Sequence, residues 1–298
     1  MSLIVNDFVK TFGSLTAVNH LSFQMDASGV FGLIGTNGAG KTTTIRMMLG
    51  LLEADSGEAT WNGRKINRES MRFGYMPEER GIYMKTKVRE QLEYFACLRG
   101  MKKADARISA TRWMKKLGVD QYENMTADKL SKGNQQKVQL IAAVINHPDL
   151  VILDEPFSGL DPVNTDILRS VIKEMVQEGK FVILSSHQMS VVEEYCENLV
   201  LLNKGEAVLK GSLREIKAGY GHTRLLLSAD RDVSAYAERA GLIALNKRAN
   251  ETEYKITGDE MAQSFLKSLT DAGIFPIKYE IREPSLHEIF VEKAGEAK

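Results

Sequence analysis

From residue 1 to about 210, short runs of β-branched and aliphatic residues alternate with stretches of helical apolar spacing. That alternation predicts an α/β unit with a largely parallel core sheet. VFGLIG at 30–35, LVILDE at 150–155 and FVILSS at 181–186 are apolar along most of their length. Such strands are expected where helices cover both faces of a sheet. The opening MSLIVNDFVK alternates instead, which predicts an antiparallel N-terminal portion. Between about 80 and 128 the strand signals stop, and TKVREQLEYFACLRG and DARISATRWMKKLG have the spacing of amphipathic helices. With the helix that opens in LSKGNQQK at 130–137, they form a helical subdomain over about 80–147.

LNKGEAVLKG at 202–211 predicts a hairpin, and after it the pattern changes. HTRLLLS, VSAYAERA, LIALNK, EYKIT, MAQSFLKSLTDAG, FPIKYEI and SLHEIFVEK read as β-α-β-β-α-β-α, a small split-βαβ domain. The expected organisation is therefore an α/β domain with a mixed sheet over 1–211 and an accessory α+β domain over 212–298. The accessory part carries no motif with obvious chemistry, so binding, regulation or dimerisation is expected there.

The length of 298 residues suits one large unit and a smaller one. The 39 basic and 39 acidic residues cancel, so no global field calls for nucleic acid, and none is expected as a partner. Charge is local instead: residues 80–116 hold eleven Lys and Arg against Glu90, Glu93 and Asp105, a surplus of eight. Either a solvated helix face or a surface meeting an anionic partner or lipid headgroups accounts for it. Cys97 and Cys196 form no metal-ligand pattern and are expected to be reduced and structural. No apolar run approaches the roughly 20 residues that span a bilayer, so at a membrane another polypeptide would supply the spanning part.

GTNGAGKTT at 35–43 follows a buried strand and opens a helix. This is the context in which G-x-x-x-x-G-K-[ST] binds phosphate. Gly35, Gly38 and Gly40 permit a tight wrap over Thr36, Asn37, Ala39 and Thr43 that aims backbone N–H groups at the phosphates. Lys41 reaches the β- and γ-oxygens, and the Thr42 hydroxyl can ligate Mg²⁺. LVILDE places Asp154 at a strand end, suited to the Mg²⁺ shell. Glu155, one residue on, suits polarising or orienting the attacking water. His187 follows FVILSS, and strand C-termini of a parallel sheet line the ligand crevice, so it can contact the γ-phosphate. In LSKGNQQK, Ser131 can cap a helix and Gly133 permits a close approach. With no acidic residue in its first turn, that helix start is either an anion site or an ordinary capped surface helix.

Taken together and in this order, GTNGAGKTT, LSKGNQQK, LVILDEP, SGLD at 158–161 and SSH at 185–187 resemble the nucleotide-binding subunit of an ATP-binding-cassette transporter. The tail after 212 and GYMPEERGIY at 74–83 resemble the ATPases of ABC-2-type exporters, including sodium and drug efflux systems. The resemblance implies a P-loop ABC-type fold, ATP and Mg²⁺ as ligands, and a head-to-tail dimer, homo- or heteromeric. Ser131, Gly133 and Gln135 of one copy would then face the γ-phosphate held by the other. It further implies that Asp161 bridges the subunits, that Phe12 stacks on adenine, and that the subunit works at the cytoplasmic face of the cell membrane. The helical subdomain and the loop around Glu78 would receive a multi-spanning permease. Phe12 stands where a tyrosine is commoner, and two positions change the charge of the family pattern: Lys132 stands where a glycine is usual, and Glu78 where a glutamine is usual, making Glu78 a potential metal ligand. A soluble cassette ATPase acting on nucleic acid or ribosomes is the competing reading. A metabolic kinase would leave LSKGNQQK and SGLD unexplained.

Overall fold

The structure, a computed structural model, describes residues 1–66, 72–79, 81–248 and 250–296. Contacts divide the chain into two compact units, Met1–Lys210 and Gly211–Lys298. The first begins with β1 (Leu3–Phe12), β2 (Leu15–Met25), β3 (Gly29–Gly35), α1 (Lys41–Met48), β4 (Ser56–Trp61), β5 (Arg64–Lys65) and β6 (Phe73–Met76). Helices α2 (Val88–Leu98), α3 (Lys103–Lys116) and α4 (Lys132–Val144) follow. β7 (Leu150–Asp154), α5 (Pro162–Gln177), β8 (Phe181–Ser186), α6 (Met189–Tyr195), β9 (Asn198–Asn203) and β10 (Glu206–Ser212) complete the series.

Two sheets result. β2-β1-β4-β5 is antiparallel, as the N-terminal alternation predicts, and β10-β9-β3-β8-β7-β6 is parallel from β9 to β6. Every residue of β3, β7 and β8 is buried. One face of these strands, through Phe31, Leu33, Ile152 and Ile183, shares a core with α1 and the antiparallel sheet. On the other face α6 comes so close that a Cβ on Gly32 would lie 2.8 Å from Val192 Cγ1. Apolar runs without alternation follow from this double cover. Because the strands are parallel and in register, Ile34 beside Ser186 and Asp154 beside Ser185, their C-terminal ends open on one edge. Everything that follows those ends is gathered there.

Part of the basic surplus on the helical segment is neutralised: Glu123, Asp128 and Glu174 come from outside the segment, while Glu90 and Glu93 are local partners. Arg89 pairs with Glu123 and Glu93, Lys85 with Asp128, Lys87 with Glu90, and Lys116 with Glu174 while lying over the Trp113 ring. Arg99 donates to the Ala142 carbonyl, and burial pulls its guanidinium below the usual value. Lys102, Lys103, Arg107, Arg112 and Lys115 are exposed and make no ion pair among the described residues. Arg80, counted in the surplus, lies outside the described residues. The structural role expected of both cysteines holds for Cys196, which is buried behind Gly32. Cys97 lies exposed on α2.

The second unit contains α7 (Leu213–Tyr220), β11 (Arg224–Ser228), α8 (Ser234–Arg239), β12 (Ile243–Arg248), β13 (Glu251–Lys255), α9 (Asp259–Asp271), β14 (Lys278–Arg282) and α10 (Leu286–Glu296). Its sheet has the order β12-β13-β11-β14 and is antiparallel throughout. β13 is therefore inserted between β11 and β12, which the split-βαβ pattern requires. Leu225 and Leu227 pack with Ala237, Phe265 and Leu269 in a core of their own.

Candidate active site

Between β3 and α1 the glycine loop takes the wrapped course that its sequence permits. Gly38 and Gly40 have φ of 80° and 103°, in the region that side chains resist, and a Cβ on Gly40 would lie 2.4 Å from the Ala17 carbonyl oxygen. The loop is also braced from outside: Gly205, in the β9–β10 turn, donates its N–H to the Ala39 carbonyl at 3.1 Å. Ala39 N–H in turn donates to Thr36 O at 3.1 Å, closing the wrap. Thr36, Asn37 and Gly38 form its exposed crest, Ala39 is buried, and Thr43 is half-buried on the first turn of α1. No acidic residue stands in that turn, so the helix start keeps its partial positive charge for an anion.

Lys41 points back into the loop, its Nζ donating to Gly35 O at 2.8 Å and Thr36 O at 3.3 Å. Thr42 Oγ1 donates to Asp154 Oδ2 at 3.0 Å, so the hydroxyl and carboxylate expected to share a metal are in contact across 112 residues of sequence. Asp154 is 1 % exposed, and its Oδ1 has no hydrogen-bond partner among the described residues. Burial, helped by the Glu155 charge, pushes this carboxyl above the usual carboxylate range, opposed by the Ser185 and Thr42 hydroxyls and then by the Lys41 ammonium. A buried free oxygen next to a hydroxyl is a hard-oxygen donor pair that fits Mg²⁺. This ion is commonly held by one or two protein oxygens together with substrate phosphates and water. Tyr75 on β6 was not singled out by sequence. Burial and then the Asp154 charge push its phenol up to about 12, so it stays a neutral wall of the site.

Glu155 leaves the end of β7 with φ of 51°, a left-handed conformation uncommon for a residue with a side chain. Its N–H donates to Ser185 O at 3.0 Å and its carbonyl accepts from Ser158 N at 3.1 Å. The turn carries the carboxylate inward to a position between Lys41 Nζ, 3.4 Å from Oε1, and His187 Nδ1, 2.8 Å from Oε2. Oε1 has no hydrogen-bond partner among the described residues, which leaves one buried acceptor with a free lone pair. The three groups arrive from the ends of β3, β7 and β8, as the parallel topology predicts.

An open cleft of about 360 Å³ joins Asp154 and Glu155 to Glu78, Lys132 and Gln135. The two charge-changing departures from the family pattern, Glu78 and Lys132, thus face one another's surroundings and carry opposite charge. Ser131 caps α4, its Oγ accepting from Asn134 N at 3.3 Å. Gly133 packs against a neighbour inside the chain: a Cβ there would lie 2.6 Å from Asn164 Nδ2, so the Asn164 side chain would have to shift. Gln135 spends its amide on Ala127 O and Leu130 O, at 2.9 and 3.2 Å, and so holds the approach to Ser131. Asp161 caps α5 by accepting from Asn164 N at 2.9 Å, and that backbone N–H holds its carboxyl below the usual range. Phe12 ends β1 half exposed, with Lys10 Nζ 5.6 Å from its ring centre. Neither Phe12 nor Ser131 nor Asp161 lines the cleft around Glu155.

A phosphate-wrapping glycine loop served by a strand-end Asp and a buried Glu defines a P-loop nucleoside triphosphatase. The family described as "ABC transporter" matches residues 18–158, and "ATP-binding protein DrrA1-3-like, C-terminal domain" matches 211–294. "Uncharacterized ABC transporter ATP-binding protein YhaQ" of Bacillus subtilis (strain 168) is 44% identical over 294 residues, covering 98% of both chains. "Linearmycin resistance ATP-binding protein LnrL" of the same organism is 28% identical over 298 residues, covering 96% of each. A solved "Structure of ATP binding subunit of ABC transporter" superposes with a TM-score of 0.68 at 30% identity, over 74% of this chain and 93% of that one. The chain belongs to the ABC transporter ATP-binding proteins, with a DrrA-like C-terminal domain, and ATP hydrolysis is its activity.

Proposed function

We propose that this subunit dimerises on binding Mg·ATP and powers export through a separate multi-spanning permease at the cytoplasmic face of the cell membrane. The observation that carries the reading is Glu155: a buried carboxylate with one free oxygen, clamped between Lys41 and His187 beside the Thr42–Asp154 pair. Backbone N–H groups of residues 36–43 cradle the phosphates, and Lys41 moves its ammonium from loop carbonyls to β- and γ-oxygens. Thr42 and Asp154 would hold Mg²⁺, and Glu78 is a further carboxylate lining the same cleft. The metal supplies charge neutralisation on the phosphates. Glu155 orients the attacking water, and His187, half exposed, reaches the γ-phosphate. Phe12 offers its open ring face to adenine.

The start of α4 is solvent-facing, capped by Ser131 and free of acidic residues. That arrangement suits a γ-phosphate held by a second copy, which Ser131 and Gly133 would contact while Asp161 bridges the pair. Hydrolysis removes the anion that joins the halves, so binding and turnover close and open the dimer in alternation. Export is supported by the DrrA1-3-like C-terminal match and by the full-length likeness to a resistance ATP-binding protein.

The helical segment exposes Tyr83, Tyr94 and Leu98, with Tyr83 stacked on Phe95 at 5.5 Å between ring centres. An aromatic and aliphatic patch just beyond the Glu78 loop suits an apolar segment of the permease. Lys102 and Lys103, at the start of α3 and without an ion pair among the described residues, suit anionic headgroups nearby. The test is affinity capture from detergent-solubilised native membranes with the full chain as bait. A multi-spanning protein is expected in stoichiometric amount, and Leu98→Asp should reduce its recovery about tenfold or more, a change of roughly 1.4 kcal/mol or above. ATP binding by the same preparation serves as the folding control. Equal recovery by Leu98→Asp contradicts the docking surface, and capture of ribosomes or soluble proteins alone contradicts the permease.

A further inference from the structure

We infer that Gln136 and Gln139 are positioning residues for hydrolysis: from one side of α4 their amides hold the backbone beside Glu155 and beside Glu78. Gln136 Nε2 donates to the Pro156 carbonyl, one residue after Glu155. Gln139 Nε2 donates to the Pro77 carbonyl, one residue before Glu78, and to Glu79 O at 3.1 Å on its other side. All three partners are carbonyl oxygens, which only accept, so the orientation of both amides is settled by chemistry. Positions 136 and 139 are three apart on a helix and share a face. The inference rests on the roles proposed above for Glu155 and Glu78.

Three features set these bonds apart from incidental side-chain contacts. Both acidic residues adjoin a proline, which has no N–H of its own, so the carbonyl is the only backbone polar group that the proline residue offers to be held. Each handle is gripped by the same helix, across 20 residues of sequence for Pro156 and 62 for Pro77. The backbone of Glu155 is left-handed at φ of 51°, and Gln136 adds a third fixation to the bonds with Ser185 and Ser158. Freed from it, the 156–157 peptide can rotate, loosening the turn that follows Glu155 and aims a carboxylate now held between Lys41 and His187. Gln139 is itself buried, so its amide stands in place of water in fixing the Glu78 loop.

The helix that carries both glutamines starts at Ser131, whose approach is held by the neighbouring Gln135. One rigid element therefore connects the LSKGNQQK segment to Glu155 and to Glu78. Movement of α4 when a partner's nucleotide engages Ser131 is passed to both loops through these two amides. Both glutamines line the cleft shared by Glu155 and Glu78, but with their amides spent on these carbonyls each acts through the backbone it holds.

The test is steady-state ATPase kinetics on the full-length protein, with thermal midpoints recorded in parallel. Gln136→Met keeps the shape and removes the donor, while Gln136→Lys keeps a donor of similar reach. Gln136→Met is expected to lower kcat roughly ten- to hundredfold with KM for ATP within about twofold, the signature of misplaced chemistry with binding intact. Gln136→Lys should recover most of the loss, and Gln139→Met should resemble Gln136→Met in kind. The inference is overturned if both Met variants keep kcat within about twofold of wild type. It is equally overturned if Gln136→Lys is as impaired as Gln136→Met at an unchanged thermal midpoint. If Gln136→Met is unstable, Gln139→Met and Gln136→Lys carry the decision. Glu155→Gln, measured alongside, separates the two levels. Wild-type turnover in that variant refutes the role of Glu155 itself, whereas an inactive Glu155→Gln with fully active Met variants refutes the glutamine link alone.

Discussion

Glu155→Gln is expected to lower steady-state ATP turnover by about 10²- to 10⁴-fold, the range spanned by removal of a positioned general base. The amide fills the same space between Lys41 and His187, so folding and nucleotide binding are preserved. What it loses is the charge that draws a proton from water toward the site. With hydrolysis blocked, ATP persists in the site, and the closed dimer accumulates in place of a short-lived state. The measurement is release of inorganic phosphate at saturating Mg·ATP. Turnover within a few-fold of wild type would remove Glu155 from the mechanism and return the question to His187, 2.8 Å away.

Lys41→Ala acts on two levels. The ammonium lies 3.4 Å from Glu155 Oε1, both side chains almost wholly buried, so truncation leaves a carboxylate without its cation. Breaking a buried pair costs about 3–5 kcal/mol, and the lower end is expected because His187 remains beside Oε2. The variant also loses charge-assisted bonds to phosphate, worth about 1.5–3 kcal/mol each, so ATP affinity should fall at least tenfold. Restoring neutrality separates the levels. Lys41→Ala combined with Glu155→Gln is expected to regain most of the thermal stability but none of the affinity. Recovery of nucleotide binding in the double variant would show that Lys41 serves the fold and not the phosphates.

Much of the fold could be read from the chain because its signals are local. The unbroken apolar runs at 30–35, 150–155 and 181–186 are buried strands of a parallel sheet, and the β-α-β-β-α-β-α order after 222 appears element by element. GTNGAGKTT identified its own geometry, since glycine spacing is a statement about backbone. What escaped the sequence depends on side chains meeting across long separations. Lys116 finds Glu174 58 residues away, so a helix that looks strongly basic is in part neutralised. The left-handed turn at Glu155 has no glycine to announce it, because the turn is imposed by bonds to Ser185 and Ser158. Gly133 also has Asn164 beside it, a neighbour 31 residues on that the local sequence does not show. Gln136 and Gln139 were visible as residues on a helix, but their partners, two proline carbonyls, become apparent only once α4, β6 and β7 are placed together.

In the proposed function two copies share ATP, and the mass of the protein in solution tests this most directly. Sedimentation of Glu155→Gln at micromolar concentration should give the 33.3 kDa monomer without nucleotide and about twice that mass with Mg·ATP. Ser131→Arg, which places a bulky side chain where the second nucleotide would sit, should hold it at the monomer mass while ATP still binds. A Glu155→Gln protein that stays monomeric with ATP fully bound would contradict the shared site, and with it the engine proposed here.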